Sequence, residues 1–211
     1  MRNGKPWTKE EVEEFASELT AVTVPINMTF EGKQKILDFS RVEKILLGAK
    51  AIAVSECQCR ARVKGCDAPM DVCLYLNEEA VKLVDKGEAR IISLAEALRI
   101  LKMTSAAGLV HLAYTDRANA ELNYICSCCP CCCHSFAAIR EYGFDNAVIS
   151  SDMVAEQKPD LCDDCGICAE RCHFMARRME DGRLSFNREK CFGCGLCISV
   201  CPTGAIALVK R

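Results

Sequence analysis

Two cysteine runs of the same spacing, offset by 29 residues, constrain this chain more than any other feature. Cys162-x2-Cys165-x2-Cys168-x3-Cys172 recurs as Cys191-x2-Cys194-x2-Cys197-x3-Cys201-Pro202. Gly166 aligns with Gly195, Ile167 with Leu196 and Ala176 with Ala205. Three thiolates at intervals of three wrap a small inorganic core from a single loop. The fourth sits on the following helical turn, faces the other way and ligates the other core. The spacing therefore assigns one cluster to Cys162, Cys165, Cys168 and Cys201, and a second to Cys191, Cys194, Cys197 and Cys172. Glycine after Cys165 and after Cys194 lets the backbone close round the metal. Asp181-Gly182 predicts a hairpin turn between residues 176–179 and 184–186, joining the two halves.

Zinc would also accept four thiolates per half, but zinc sites place two Cys pairs a dozen or more residues apart. With the duplication and Pro202, residues 158–209 resemble a bacterial-type two-cluster ferredoxin, and that resemblance implies two [4Fe–4S] clusters over a carboxy-terminal domain of residues 156–211. One position departs from the pattern. His173 stands where the first half would carry proline, and it is read as a surface or cluster-edge residue able to tune a cluster sulfur, since four thiolates are already present.

The chain holds 18 cysteines in 211 residues. A disulfide scaffold of that density is normally short and secreted, whereas the amino terminus turns acidic and amphipathic where an export signal would be apolar. Adjacent cysteines such as Cys128-Cys129 and the Cys131-Cys132-Cys133 run cannot all find unstrained disulfide partners. Thiolates held on metal in a reducing cytoplasm fit better. Net charge is -2, with Lys+Arg 27 against Asp+Glu 29, so nothing pulls the chain as a whole to nucleic acid. The apolar runs are too short and too interrupted for membrane insertion.

Ten cysteines remain. Cys57, Cys59, Cys66 and Cys73 form one block, and Cys126, Cys128, Cys129, Cys131, Cys132 and Cys133 another. Ten unmetallated thiols packed together would be an oxidation hazard. Neither block has the spacing to enclose a cubane alone, so at least one added cluster drawing on both blocks is expected. The count suits two four-thiolate clusters with two cysteines over, or one cluster with spare buried thiols, or a noncubane cluster with more than four cysteine ligands. Arg60 and Arg62 stand beside the first thiolates, where positive charge would offset an anionic cluster; solvated arginines are the plain alternative. His134 follows the last thiolate as a possible extra ligand, and His111 lies in an apolar strand pattern that suits a core histidine.

Glu56-Cys57-Gln-Cys59-Arg60, Gly65-Cys66-Asp67-Ala-Pro69, Ala107-Gly-Leu-Val-His111 and the late cysteine run resemble the amino-terminal module of ferredoxin-type proteins from anaerobic microbes. This resemblance covers residues 50–140 and implies iron–sulfur redox chemistry, with one or two further clusters and no named reaction.

The expected fold is α+β: a cysteine-rich amino-terminal domain of helices and short strands over residues 1–150, then the ferredoxin-like two-cluster domain. Thr8/Glu11, Ser40/Glu43 and Ser93/Glu96 are capping boxes. They predict helices over 8–20, from 40 to a stop at Gly48, and from 93 to near Gly108. A helix is also expected over 77–85 and another from His134 to Gly143, with short strands over 51–54 and 109–114. The polar stretch 150–159 reads as a linker. No G-x-G-x-x-G follows a strand and no P-loop is present. The function expected is a multi-cluster electron carrier serving a redox protein partner; a reductase with an atypical cluster, or a redox or metal sensor, are the rivals. Oligomeric state is left open by the sequence.

Overall fold

The structure, a computed structural model, describes residues 4–24, 39–116, 122–144 and 147–211. Its elements run α1 (Lys9–Glu18), β1 (Leu19–Val24), α2 (Phe39–Gly48), β2 (Ile52–Glu56), α3 (Gln58–Val63), β3 (Asp71–Leu76), α4 (Asn77–Asp85), β4 (Arg90–Ile91) and α5 (Leu94–Ala106). They continue with β5 (Val110–Asp116), β6 (Leu122–Cys128), α6 (His134–Arg140), β7 (Val148–Ile149), β8 (Met153–Gln157), α7 (Ile167–Glu170), β9 (Arg177–Glu180), β10 (Arg183–Phe186) and β11 (Ile206–Lys210). Helices and antiparallel strands together make the chain α+β.

Local sequence explains the helix starts. Thr8 Oγ1 accepts from Glu11 N at 3.3 Å while Glu11 Oε2 accepts from Thr8 N at 2.9 Å, the reciprocal pair a capping box requires. Ser93 caps α5 through Glu96 N at 3.2 Å. The expected start at Ser40 shifts one residue, to Phe39.

One seven-stranded sheet in the order β4-β2-β3-β6-β5-β1-β7 organises the amino-terminal part; only the β1–β7 pair is parallel. Side chains alternate across a strand, so the two faces have different contents. Val54, Leu74, Leu76, Ala113 and Ile125 pack with Ala97 and Leu101 of α5. The same side carries a buried polar chain in which Thr104 Oγ1 lies 2.9 Å from His111 Nε2 and accepts from Ser127 Oγ at 3.0 Å. Burial holds His111 down to about 3, hence neutral, and its role is in the core. The opposite face carries Tyr75, Tyr114, Tyr124, Cys126 and Cys128, paired through Tyr75↔Tyr124, Tyr114↔Tyr124 and Val110↔Cys128.

Two expectations are corrected. The polar linker over 150–159 is instead β8, paired with β11 from Met153↔Lys210 to Gln157↔Ile206, with Val154 and Ala155 fully buried. Pro159 falls just after the strand, in a short 3-10 turn. The helix expected to reach residue 20 stops at Glu18, because Leu19–Val24 pairs with β5 as a strand. The Asp181-Gly182 hairpin forms between β9 and β10 with both turn residues at positive φ, 50° and 76°, the geometry of a two-residue primed turn.

The carboxy-terminal part docks on the sheet through specific contacts. Thr23 Oγ1 donates to Phe192 O at 2.5 Å, Arg171 Nη2 to Ala106 O at 2.6 Å, and His173 Nε2 lies 2.8 Å from Gly108 O. Phe174 and Phe192 stack at 4.3 Å and pack with Leu196 against Phe136 and Val148. His173 is thus a half-buried clasp between the two parts, held edge-on to Phe136, rather than a surface residue.

Candidate metal centres

In the carboxy-terminal part Cys162, Cys165, Cys168 and Cys201 line one pocket. Cys165 is exposed and Cys168 buried. The other four repeat cysteines form a second set: Cys194 and Cys197 both sense Cys172 and Cys191 electrostatically. The fourth cysteine of each run therefore lies with the three of the other run. Gly166 and Gly195 take φ of 77° and 79°, a region costly for residues with a side chain beyond Cα, which lets each loop turn back over its sulfurs. Four soft thiol donors per set suit iron–sulfur cores. Backbone N–H groups of Thr203, Ala205 and Ile206 also reach the Cys201 sulfur, a contact that favours anionic sulfur. Burial pushes the Cys197 thiol up to about 12, while nearby Arg177 pulls it the other way.

Arg177 had no signal in the sequence. It is 2% exposed, donates to Ala155 O at 2.6 Å and Gln157 Oε1 at 3.0 Å, and places positive charge by Cys168 and Cys197 together.

The ten amino-terminal cysteines divide into two groups, each drawing on both sequence blocks. Six form a closed ring in which Cys57 meets Cys59 and Cys73, Cys73 meets Cys126, Cys126 meets Cys128, Cys128 meets Cys133, and Cys133 returns to Cys59. The Cys73–Cys126 sulfurs are 3.9 Å apart. Strand geometry makes this ring: Cys126-x-Cys128 repeats with period two, so both thiols leave β6 on one face. Cys57 N-caps α3 and Cys133 N-caps α6, which brings both to the rim of that face. The ring borders a cavity of about 230 Å³ that Trp7, Phe15, Tyr75, Tyr114, Tyr124 and His134 complete.

The ring's electrostatics call for a cation. Hydrogen bonds to Cys126 and Cys133, with burial, push the Cys128 thiol up, while Cys128 and Cys59 pull Cys133 down. The crowded thiols thus cannot all ionise without added positive charge. Arg60 supplies part of it. The residue is 2% exposed and its guanidinium donates through Nη1 to Ser127 O at 2.9 Å, but Nε and Nη2 are buried without a hydrogen-bond partner among the described residues. Orphaned buried donors beside six thiols fit an anionic metal–sulfur core. Burial keeps all three tyrosines protonated, and Tyr114 Oη lies 4.0 Å from both Cys128 and Cys133 Sγ. These tyrosines were missed in the sequence; for Tyr75 and Tyr124 the period-two alternation with Cys73, Cys126 and Cys128 was the available signal, and Tyr114, on a strand without cysteine, had none.

His134 places Nδ1 3.4 Å from Cys59 Sγ and stacks on Phe15 at 4.3 Å, so it is a neighbour of the ring. Arg62 points away from the thiols: it pairs with Glu11 at 2.6 Å and lies 4.0 Å over Trp7. The remaining cysteines, Cys66, Cys129, Cys131 and Cys132, form the second group, all four sulfurs within 4.8 Å of one another. Cys59 and Cys66, neighbours in the first sequence block, lie in different groups.

Comparison with known proteins adds three partial relatives. Over 55 residues the chain is 38% identical to an uncharacterized ferredoxin of Methanocaldococcus jannaschii, covering 25% of this chain and 33% of that protein. It is 38% identical over 65 residues to an iron-sulfur protein of Rhodospirillum rubrum, covering 30% and 33%. A third match, 38% over 60 residues, is to an uncharacterized protein of Methanothermobacter thermautotrophicus and covers 28% and 13%. The chain thus spans a third or less of each of these relatives. Residues 184–207 match the family described as 4Fe-4S binding domain, and the chain is a metal-binding iron–sulfur protein with a ferredoxin-type segment.

Proposed function

We propose that the protein is a multi-cluster electron carrier that passes single electrons to or from a partner oxidoreductase in a reducing cytoplasm. In this reading Cys162, Cys165, Cys168 and Cys201 hold one [4Fe–4S] cluster, and Cys172, Cys191, Cys194 and Cys197 a second. The six-thiol ring holds a further cluster of more than four cysteine ligands. Such clusters supply reversible one-electron chemistry. The chain's own residues bury them, set their charge environment and decide which one a partner meets first.

The observation that carries the reading is a continuous core. Cys194, Leu196, Phe192 and Phe174 pack in the same apolar cluster as Cys128, Cys133, Phe136 and Tyr114. The second ferredoxin set and the ring are therefore joined by packed side chains. The first set carries the exposed Cys165 and is the entry for a partner. Among the described residues no helix is long and apolar enough to cross a membrane.

A second reading is favoured by the cavity itself, whose aromatic walls and few polar groups have the make-up of a small-molecule site. There the ring would reduce a substrate and the ferredoxin segment would feed it. Anaerobic iron and acid-labile sulfide analysis of the full chain, with an EPR-monitored redox titration, tests the carrier. The expected content is about twelve irons or more, with only reversible one-electron steps. About eight irons in total would leave the ring without a cluster and refute the proposal. A ring signal that changes on adding a small molecule would favour the reductase.

A further inference from the structure

We infer that Cys66, Cys129, Cys131 and Cys132 form a closed tetrahedral site for a single metal ion, zinc or iron, distinct in kind from the iron–sulfur clusters. Sulfur spacing carries this. Cys66 Sγ lies 3.7 Å from Cys129 Sγ and 4.0 Å from Cys132 Sγ, and Cys131 and Cys132 are 3.7 Å apart. Four sulfurs about 2.3 Å from one ion stand about 3.8 Å from each other along the edges of a tetrahedron. The four terminal thiolates of a cubane are spread over about 6 Å, because four irons and their sulfides lie between them. Among the described residues no other group of Cys, His, Asp or Glu ligand atoms is drawn so close, the two ferredoxin-type sets included.

The surroundings fit a dianionic tetrathiolate. Gly65 N donates to Cys132 Sγ at 3.3 Å and Arg60 Nη1 lies 3.9 Å from Cys129 Sγ. A Cβ on residue 65 would stand 3.1 Å from the Cys132 sulfur, so glycine is what lets the backbone amide approach. Trp7 Nε1 donates to Cys132 O at 2.8 Å, closing the outer side. All four ligands come from protein, the arrangement of structural rather than catalytic sites.

Position in the chain gives the ion a task. Cys129, Cys131 and Cys132 lie between Cys128 and Cys133, which both belong to the six-thiol ring. One ion tying Cys66 to this turn fixes the end of β6 and the start of α6 together.

The test uses the full chain, purified anaerobically, as wild type, Cys66→Ser and Cys131→Ser, with metals counted by mass spectrometry beside acid-labile sulfide. Each variant should lose one equivalent of zinc or iron, with sulfide unchanged. Loss of iron in fours with its sulfide would show a cubane and overturn the inference, as would no change in any metal. Should the variants aggregate, wild-type protein decides. Zinc-edge absorption should show four sulfurs and no neighbouring metal, or Mössbauer spectra of iron-labelled protein should show one tetrathiolate iron apart from the cluster signals. Neither signal would overturn it. An iron–sulfur signal without a single-ion site leaves the proposed function standing, so the two failures are distinguishable.

Discussion

On the proposed reading, Arg177→Met should weaken the carboxy-terminal unit and drive the potentials of both proposed clusters more negative, while leaving the eight proposed ligands in place. Methionine keeps the apolar stem and removes every donor. The charged hydrogen bond to the buried Ala155 carbonyl, 2.6 Å long, contributes about 2 kcal/mol. The guanidinium also lies 4.3 Å from the Phe186 ring, a contact that contributes about 1 kcal/mol. Unfolding free energy of the cluster-loaded chain should therefore fall by about 3 kcal/mol, read by anaerobic denaturant titration. The electrostatic effect follows from Arg177 standing by Cys168 and Cys197 together. A unit charge about 8 Å from an added electron, at an effective dielectric of about 20, stabilises it by about 2 kcal/mol. For a one-electron couple that is about 90 mV, measurable by EPR-monitored titration. Arg177→Lys, which keeps the charge but loses the planar fork, should restore the potentials more fully than the stability. A stability loss with unmoved potentials would make Arg177 a brace alone. Unmoved potentials and stability together would refute the reasoning.

On the same reading, Cys172→Ala should damage the cluster proposed for Cys191, Cys194 and Cys197 more than that proposed for Cys162, Cys165 and Cys168. Residue-assigned paramagnetic shifts of the cysteine β-protons would report it, and loss of the Cys162, Cys165 and Cys168 signals instead would contradict crossed ligation. Gly193→Ala places a Cβ inside contact distance of Met153 O and Ser151 Oγ at a φ of 69°. Strain and overpacking together should cost about 3 kcal/mol and bleach the second cluster first on heating; an unchanged melting profile would count against the placement of that loop.

Much of the carboxy-terminal part was legible because its determinants are local. The loop glycines and the Asp181-Gly182 turn each act on the few residues around them. The capping boxes at Thr8 and Ser93 were legible for the same reason. The seven-stranded sheet was not, because its strands are short and its pairings distant: Leu19–Val24 continues the helical run before it and becomes a strand only by pairing with Val110–Asp116. β8 hid behind its polar ends and Pro159, although Val154 and Ala155 are buried. Arg177 looks like a surface residue in sequence and Arg60 reads equally as a partner of the thiolates or a solvated residue; only the fold shows both desolvated.

The division of the ten amino-terminal thiols shows why spacing alone left several alternatives open. Cys128 and Cys129 are adjacent in the chain yet belong to different sites, because β6 ends at Cys128. Up to that residue the two-residue period directs Cys126 and Cys128 into the ring. Past it Pro130 turns the chain, and Cys129, Cys131 and Cys132 gather with Cys66 instead. Cys133 returns to the ring only because it N-caps α6, whose Phe136 packs in the core shared with Phe174 and Phe192. The helix that completes the ring is thus the one on which the ferredoxin-type part docks. On the proposed reading, docking and ring assembly are then one event. A substitution that opened the Phe136–Phe174 contact would loosen Cys133 as well as the path between the centres.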